Sequence, residues 1–396
     1  MSRGNGNLYI SFVSMGQGDC TVVSLPNGKI LMIDCGTARW NTDYNTGRDR
    51  SQSRDDQLTQ IRQLRQGVID TLYADRHLHN YNKIDALVMT HPDKDHCNEL
   101  FSVLFEKGPE IVNVYYSYQD LARYTEGGAG SWLTNFANVT GQRYAVAINQ
   151  EGVRLNGNDV ANATNSGDGA IHRKSVDPTT MGFVKILQGT DSGRGAKPCE
   201  VFLLAGDVKE YQNVRDKSDA KNRGSVVTLI VFGNQKFMIC GDATFNTEKF
   251  LKDTYGDTLK NLELIQMGHH GSLTSSSCST FHDLEPAVKS IGFVNHVNPR
   301  GAVISAAVDS GSSLKLPRYE TIQKYSTLPE ATRRLIPRPG NTIDCWWTTM
   351  ERQPNKKRKK MRRVLVSHYE QKDVDLEIVA TGKLGTIEYD RSNADV

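Results

Sequence analysis

The sequence predicts a mixed α/β (α+β) protein on three observations. Apolar, β-branched runs of strand length recur along the chain, stretches with helical spacing lie between them, and several of the apolar runs end directly in Asp or His. The last of these makes the strand ends the place to look for chemistry.

Taken in order, Leu8 to Val13, Cys20 to Leu25 and Ile30 to Ile33 read as strands, the last two separated by the turn Pro26-Asn27-Gly28, which gives an antiparallel start. Gly16 and Gly18 permit a tight loop that brings Asp19 near the strand ends. Asp34-Cys35-Gly36 closes the third strand. Residues 37–82 turn polar and read as an insertion. It carries a helix from Asp56 to Tyr73 and, at its exit, His77 and His79 in a solvated loop. Ile84 to Met89 is a buried strand that delivers Thr90-His91-Pro92-Asp93-Lys94-Asp95-His96. Cys97 to Glu106 then has helix composition and Val112 to Tyr116 strand composition.

Residues 127–180 are rich in Gly, Asn, Thr and Ser and read as a loop-rich insertion. Strands follow at Gly182 to Leu187 and from Val201 to Gly206-Asp207, then a pair from Ser225 to Phe232 and Lys236 to Asp242 around Gly233-Asn234. Both pairs end in Gly-Asp, and only one need be functional. A helix near Thr247 to Tyr255 precedes Leu262 to Met267, which leads into Gly268-His269-His270-Gly271-Ser272. Ser290 to Val294 and Ala302 to Ala307 read as strands and Tyr319 to Tyr325 as a helix. Residues 340–396 form a β-rich C-terminal extension in which the basic run Lys356, Lys357, Arg358, Lys359, Lys360, Arg362, Arg363 reads as a hairpin tip.

At 396 residues with a net charge of +3, bulk electrostatics announces neither a nucleic-acid nor a membrane partner. No apolar run approaches the ~20 residues of a membrane span, and the N-terminus lacks a signal-peptide core, so a cytoplasmic protein is expected. The 7 cysteines are odd in number and scattered without a CxxC pair, so neither a zinc ribbon nor a disulfide framework is suggested. Cys97 and His172 are marginal candidates for a metal shell. The basic run is a solvated loop or a phosphate-backbone contact, and Trp346-Trp347 is a core pair or a stacking platform.

Strand ends bearing His91, Asp93, Asp95 and His96, then Asp242, then His269 and His270, are what a metal-dependent hydrolase needs, because rigid strands hold several donors around an open coordination position. These residues resemble the metallo-β-lactamase superfamily, and more narrowly its ComEC-type branch, the hydrolase domain of DNA-uptake competence proteins. The resemblance runs through Gly16-Gln17-Gly18-Asp19, Ile33-Asp34-Cys35-Gly36, the HPDKDH stretch, Asn222-x-x-Ser225, Cys240-Gly241-Asp242 and Gly268 to Ser272, and more faintly Thr381 to Ile387.

The resemblance implies a single-domain four-layer αββα sandwich with a dinuclear site along one edge. His91 and Asp93 would bind one ion, Asp95 and His96 the other, with Asp242 bridging and His269 or His270 completing the shell. Asp34 would orient ligands from behind, His270 would donate a proton, and Lys94 would add positive charge. Asp93 stands where most members have a second His, a substitution the ComEC-type branch shares. Leu316-Pro317 stands where the family tends to have His-Pro. A donor set this rich in carboxylates suits Mn²⁺ as well as Zn²⁺, with one or two ions.

The expected function is phosphodiester hydrolysis by a metal-activated water, with DNA as substrate and a separate protein partner possible. The alternatives are a small-molecule hydrolase acting on a cyclic nucleotide, lactone or thioester, and a degenerate module that binds nucleic acid or protein.

Overall fold

The computed structural model describes residues 3–37, 54–105, 108–117, 121–129, 143–146, 184–208, 220–276, 292–306, 316–326, 328, 345–351, 360–366, 377–380 and 387–392. The first strands are β1 (Leu8–Phe12), β2 (Thr21–Ser24), β3 (Ile30–Ile33), β4 (Lys83–Met89), β5 (Glu110–Ser117) and β6 (Arg143–Val146). They are followed by β7 (Val184–Gln188), β8 (Cys199–Ala205), β9 (Val227–Phe232), β10 (Gln235–Ile239), β11 (Leu264–Gln266) and β12 (Gly301–Ile304). The last are β13 (Cys345–Glu351), β14 (Lys360–Val366), β15 (Glu377–Ala380) and β16 (Ile387–Arg391). Helices are α1 (Arg54–Leu72), α2 (Lys94–Cys97), α3 (Leu121–Tyr124), α4 (Ala220–Arg223), α5 (Phe245–Tyr255), α6 (Phe293–Val297) and α7 (Tyr319–Ser326).

Two seven-stranded sheets run β16-β1-β2-β3-β4-β5-β6 and β15-β12-β11-β10-β9-β8-β7. Each begins as an antiparallel meander and continues with parallel strands. The change falls at β3/β4 in one sheet and at β10/β11 in the other. The predicted ligand motifs follow the carboxyl ends of those very strands.

Alternation along the second sheet sorts its side chains into two cores. Val201, Leu203, Ile230, Phe232, Phe237 and Ile239 pack with the first sheet. Their neighbours Phe202, Leu204, Leu229, Met238 and Cys240 pack instead with Phe250 of α5, Phe293 of α6 and Tyr325 of α7. On the first sheet's side, Val68, Ile69 and Leu72 of α1 join the core, so the helix within 37–82 serves as a cover. The layers are therefore helix, sheet, sheet, helix.

Within the C-terminal β segment, β13 and β14 pair as a separate antiparallel hairpin, whereas β15 and β16 extend the two main sheets. Glu263, just before β11, accepts hydrogen bonds from Tyr389 and Arg391 of β16 at 2.9 and 2.8 Å and so ties the sheets together.

Two expectations are corrected. Of the strand expected at Ser290 to Val294, the first two residues lie outside the described residues and Phe293-Val294 are instead in helix α6, because Gly292 at φ 62 breaks extended backbone and Phe293, Val294 and Val297 bury one helical face. His77 is not in a solvated loop. It is fully buried, with Nε2 2.8 Å from Ser11 Oγ and Nδ1 2.7 Å from Ser24 Oγ. Most of 127–180 lies outside the described residues, as does His172. Among the described residues no helix is long and apolar enough to cross a membrane.

Candidate metal centre

Backbone contacts lock the first sheet's strand ends together. Asp34, in left-handed conformation at φ 54, donates its N–H to Val88 O of β4 at 2.9 Å. Its carboxylate accepts from Thr90 N at 2.7 Å, Thr90 Oγ1 at 2.5 Å and His96 Nδ1 at 2.7 Å. Gly36 lies flat against α2 at Asp95 to Cys97. A Cβ there would come within 2.5 Å of His96 N, so only glycine allows the approach. Cys35 N bonds His96 O at 2.8 Å and Asp19 N bonds Asp95 O at 3.0 Å, which completes the clamp.

The second sheet supplies the facing side. Ser225 Oγ accepts from Asp242 N at 3.2 Å and contacts His91 Nδ1 at 3.3 Å, so one hydroxyl sets both an acid and an imidazole. His270 is held by its Nδ1 donating to Ser305 O at 2.7 Å.

What converges between the sheets is a set of atoms aimed inward. His96 Nε2 and His270 Nε2 lie 3.1 and 3.3 Å from Asp242 Oδ1, and Asp95 Oδ2 lies 3.4 Å from His270 Nε2. On the other oxygen, His91 Nε2 and His269 Nε2 each lie 3.6 Å from Asp242 Oδ2, and Asp93 Oδ2 lies 3.7 Å from His91 Nε2. His91 Nε2, His96 Nε2, His270 Nε2 and Asp242 Oδ1 are buried without a hydrogen-bond partner. Buried polar atoms left so are costly, and an ion between them relieves the cost.

Charge points the same way. Burial would lower His270, yet Asp242, Asp95 and Asp19 outweigh it and push it up to about 10. Burial would likewise lower His96, but Asp242 and Asp34 raise it well above the ordinary value. Asp242 is subject to burial, which raises it, and is still held well below the usual carboxylate range by His270, His96 and His269. An excess of buried carboxylate over fixed cation suits a divalent ion, and the donor atoms of Asp19, His96, Asp242 and His270 lie within 4.8 Å of one another.

The structure thus brings together His91, Asp93, Asp95, His96, Asp242, His269 and His270, with Asp34 behind them. It separates the two histidines of the GHHGS turn. His270 is buried at the centre, whereas His269 contacts Asn222 Nδ2 at 3.0 Å and Thr274 Oγ1 at 2.6 Å nearer the rim. Lys94 is exposed at the start of α2. Of the two Gly-Asp ends, Asp242 enters the cage and Asp207 lies beside the loop at Gly224. Cys97 turns its thiol to Asp93 O and Tyr124 O, and Leu316 is buried and brings no donor. Lys360, Arg362 and Arg363 lie on β14 of the hairpin, and Lys356 to Lys359 lie outside the described residues.

Several residues of the site escaped the sequence. Lys221, on α4, places Nζ 2.9 Å from Asp93 Oδ1. Burial would raise Asp93, but His91 and Lys221 hold it below the usual carboxylate range. Asp19, at the strand ends, carries no sequence signal of a role in the site. It sits on the Nδ1 side of His96, at 3.6 Å, and receives Gln266 Nε2 at 2.6 Å. Gln266 also reaches Ser305 Oγ at 3.0 Å, so a polar layer backs the imidazoles. The position of Lys221 beside the Asn222-x-x-Ser225 motif was the one available signal for it.

No protein-family model matches this sequence, and no curated protein sequence matches it. Similar solved structures include a metallo hydrolase from the archaeon Ignicoccus hospitalis, at 12% identity and TM-score 0.35 over 80% of this chain and 90% of that one. The short form of human tRNase Z is similar at 10% identity and TM-score 0.32 over 75% and 91%. A mutant CmlA β-hydroxylase is similar at 10% identity and TM-score 0.33 over 76% of this chain, which spans only 46% of that enzyme's length. The strand order and layers themselves define the class: two mixed sheets flanked by helices, an α+β sandwich consistent with the metallo-β-lactamase fold.

Proposed function

We propose that this protein is a metal-dependent phosphodiesterase, with DNA as its substrate. The observation that carries the reading is the convergence of His91 Nε2, His96 Nε2, His270 Nε2 and Asp242 Oδ1, buried and unbonded, at the carboxyl ends of parallel strands. Asp95, His96, His270 and Asp242 Oδ1 would hold one divalent ion, Zn²⁺ or Mn²⁺; His91, Asp93 and Asp242 Oδ2 form the adjoining half. An ion held there would supply the chemistry of a metal-activated water and of a polarised electrophile.

The chain's own residues supply the rest. Asp34 and Ser305 O fix the Nδ1 side of His96 and His270, so each imidazole offers Nε2 inward. Ser225 aligns His91 with Asp242. Lys221 brings positive charge to the edge of the site where an anionic diester would approach, and the basic run from Lys356 to Arg363 offers phosphate-backbone contacts.

The test is hydrolysis of linear DNA and of bis(p-nitrophenyl) phosphate by protein stripped with chelator and reloaded with Mn²⁺ or Zn²⁺. Cleavage restored by metal and lost in Asp242→Ala is expected. Reloaded protein that carries its metal and leaves every diester intact would overturn the reading.

A further inference from the structure

The two halves of the cage are not equivalent. Among the described residues, His96 Nε2, His270 Nε2 and Asp242 Oδ1 are unpartnered atoms of one half and His91 Nε2 of the other, with the unpartnered amide oxygen of Asn222 beside His269. The imidazole that could enrich that second half, His269, already has Nε2 against Asn222 Nδ2 at 3.0 Å.

Charge divides the same way. The first half has Asp95 to itself, and Asp34 and Asp19 stand behind its imidazoles at 2.7 and 3.6 Å from His96 Nδ1. The second half has one carboxylate of its own, Asp93, and Lys221 Nζ sits on that carboxylate at 2.9 Å. A divalent ion bound through Asp93 Oδ2 would lie a few ångströms from the ammonium on Oδ1, and like charges at that range repel even at this half-buried edge of the site.

We propose that the ammonium of Lys221 takes the place of a second ion, so that the protein binds a single divalent ion in the half formed by Asp95, His96, His270 and Asp242 Oδ1. The inference rests on the metal-centre reading above and goes beyond it in fixing stoichiometry and assigning Lys221 as the residue that sets it. Lys221 is then a fixed positive charge where a two-ion site would hold a removable one. The protein keeps charge for an anionic substrate with a lower demand for metal.

The test is metal content by mass spectrometry after dialysis against Zn²⁺ or Mn²⁺, together with the electron paramagnetic resonance spectrum of the Mn²⁺ form. Wild type should hold a single ion per chain with an uncoupled Mn²⁺ spectrum. Lys221→Met and Lys221→His, each checked for an unchanged circular dichroism spectrum, should gain a second ion and an exchange-coupled spectrum, and Lys221→Arg should stay at one. Wild type with a coupled pair overturns the inference and leaves the metal-centre reading standing, without reliance on any variant. Wild type with no ion overturns both. A single ion in wild type and in both neutralised variants shows that Lys221 does not set the count and also overturns the inference.

Discussion

His96 Nδ1 donates to Asp34 Oδ2 at 2.7 Å, and this bond between the end of one strand and the motif after the next leaves Nε2 as the nitrogen turned to Asp242. The proton's position on the far nitrogen makes the near one a donor of electrons. Asp34→Ala should therefore weaken Zn²⁺ binding by roughly 10–100-fold, the usual scale for such supports. Isothermal titration of the stripped protein measures it. An unchanged affinity would mean that Thr90 alone suffices to orient the ring.

Gly241 should resist substitution for two reasons that add. Its φ is 51, where an L side chain costs about 1–2 kcal/mol, and a Cβ would stand 2.7 Å from Thr90 Cβ. Thr90 is the residue that holds Asp34. Gly241→Ala should thus lower the melting temperature and metal affinity together. Loss of stability with metal affinity intact would show that Thr90 moves without disturbing Asp34.

His77 makes stability depend on acid. Burial first, and Arg76 second, push it from an ordinary 6.5 down to about 3. The folded state keeps it neutral while the unfolded state takes up a proton below 6.5. Its contribution is complete above that pH and is lost as pH falls toward 3, at about 1.4 kcal/mol per pH unit. Urea midpoints between pH 7 and 4 should fall more steeply for wild type than for His77→Gln. Parallel slopes would remove His77 from the account.

The basic run gives a prediction specific to the substrate. Replacing Lys356, Lys357, Arg358, Lys359, Lys360, Arg362 and Arg363 by Gln should raise KM for DNA and flatten its salt dependence by about 0.9 in log–log slope for each phosphate no longer neutralised. Hydrolysis of bis(p-nitrophenyl) phosphate should not change. Equal loss on both substrates would place the run's effect in folding.

Much of this architecture was legible because its signals are local. An apolar run followed by Asp or His is visible within ten residues, and that pattern located the ends of β3, β4, β10 and β11, with the candidate donors that follow them. What stayed hidden depends on distant pairing. His77 reads as a loop residue until Ser11 and Ser24 close around it, and Asp19 acquires a role only when Gln266 arrives. Lys221 sits on a helix of four residues with no periodicity to read, and its partner Asp93 is on the other sheet's motif. The Phe293 segment misled because an apolar run that short carries no period, and Gly292 decided the matter through its backbone.

The pairing of β1 with β16 has a consequence for the making of the protein. Of the described strands, β1 is the first to leave the ribosome and its outer neighbour is the last, and the parallel strand β12 likewise waits for β15. At ordinary rates of translation the exposed rim of β1 stands open for roughly tens of seconds. Through that interval the nascent chain presents an unpaired, largely apolar edge that invites pairing with other chains. Loss of the closing strands would leave two raw borders, one on each sheet, open to pairing with other chains.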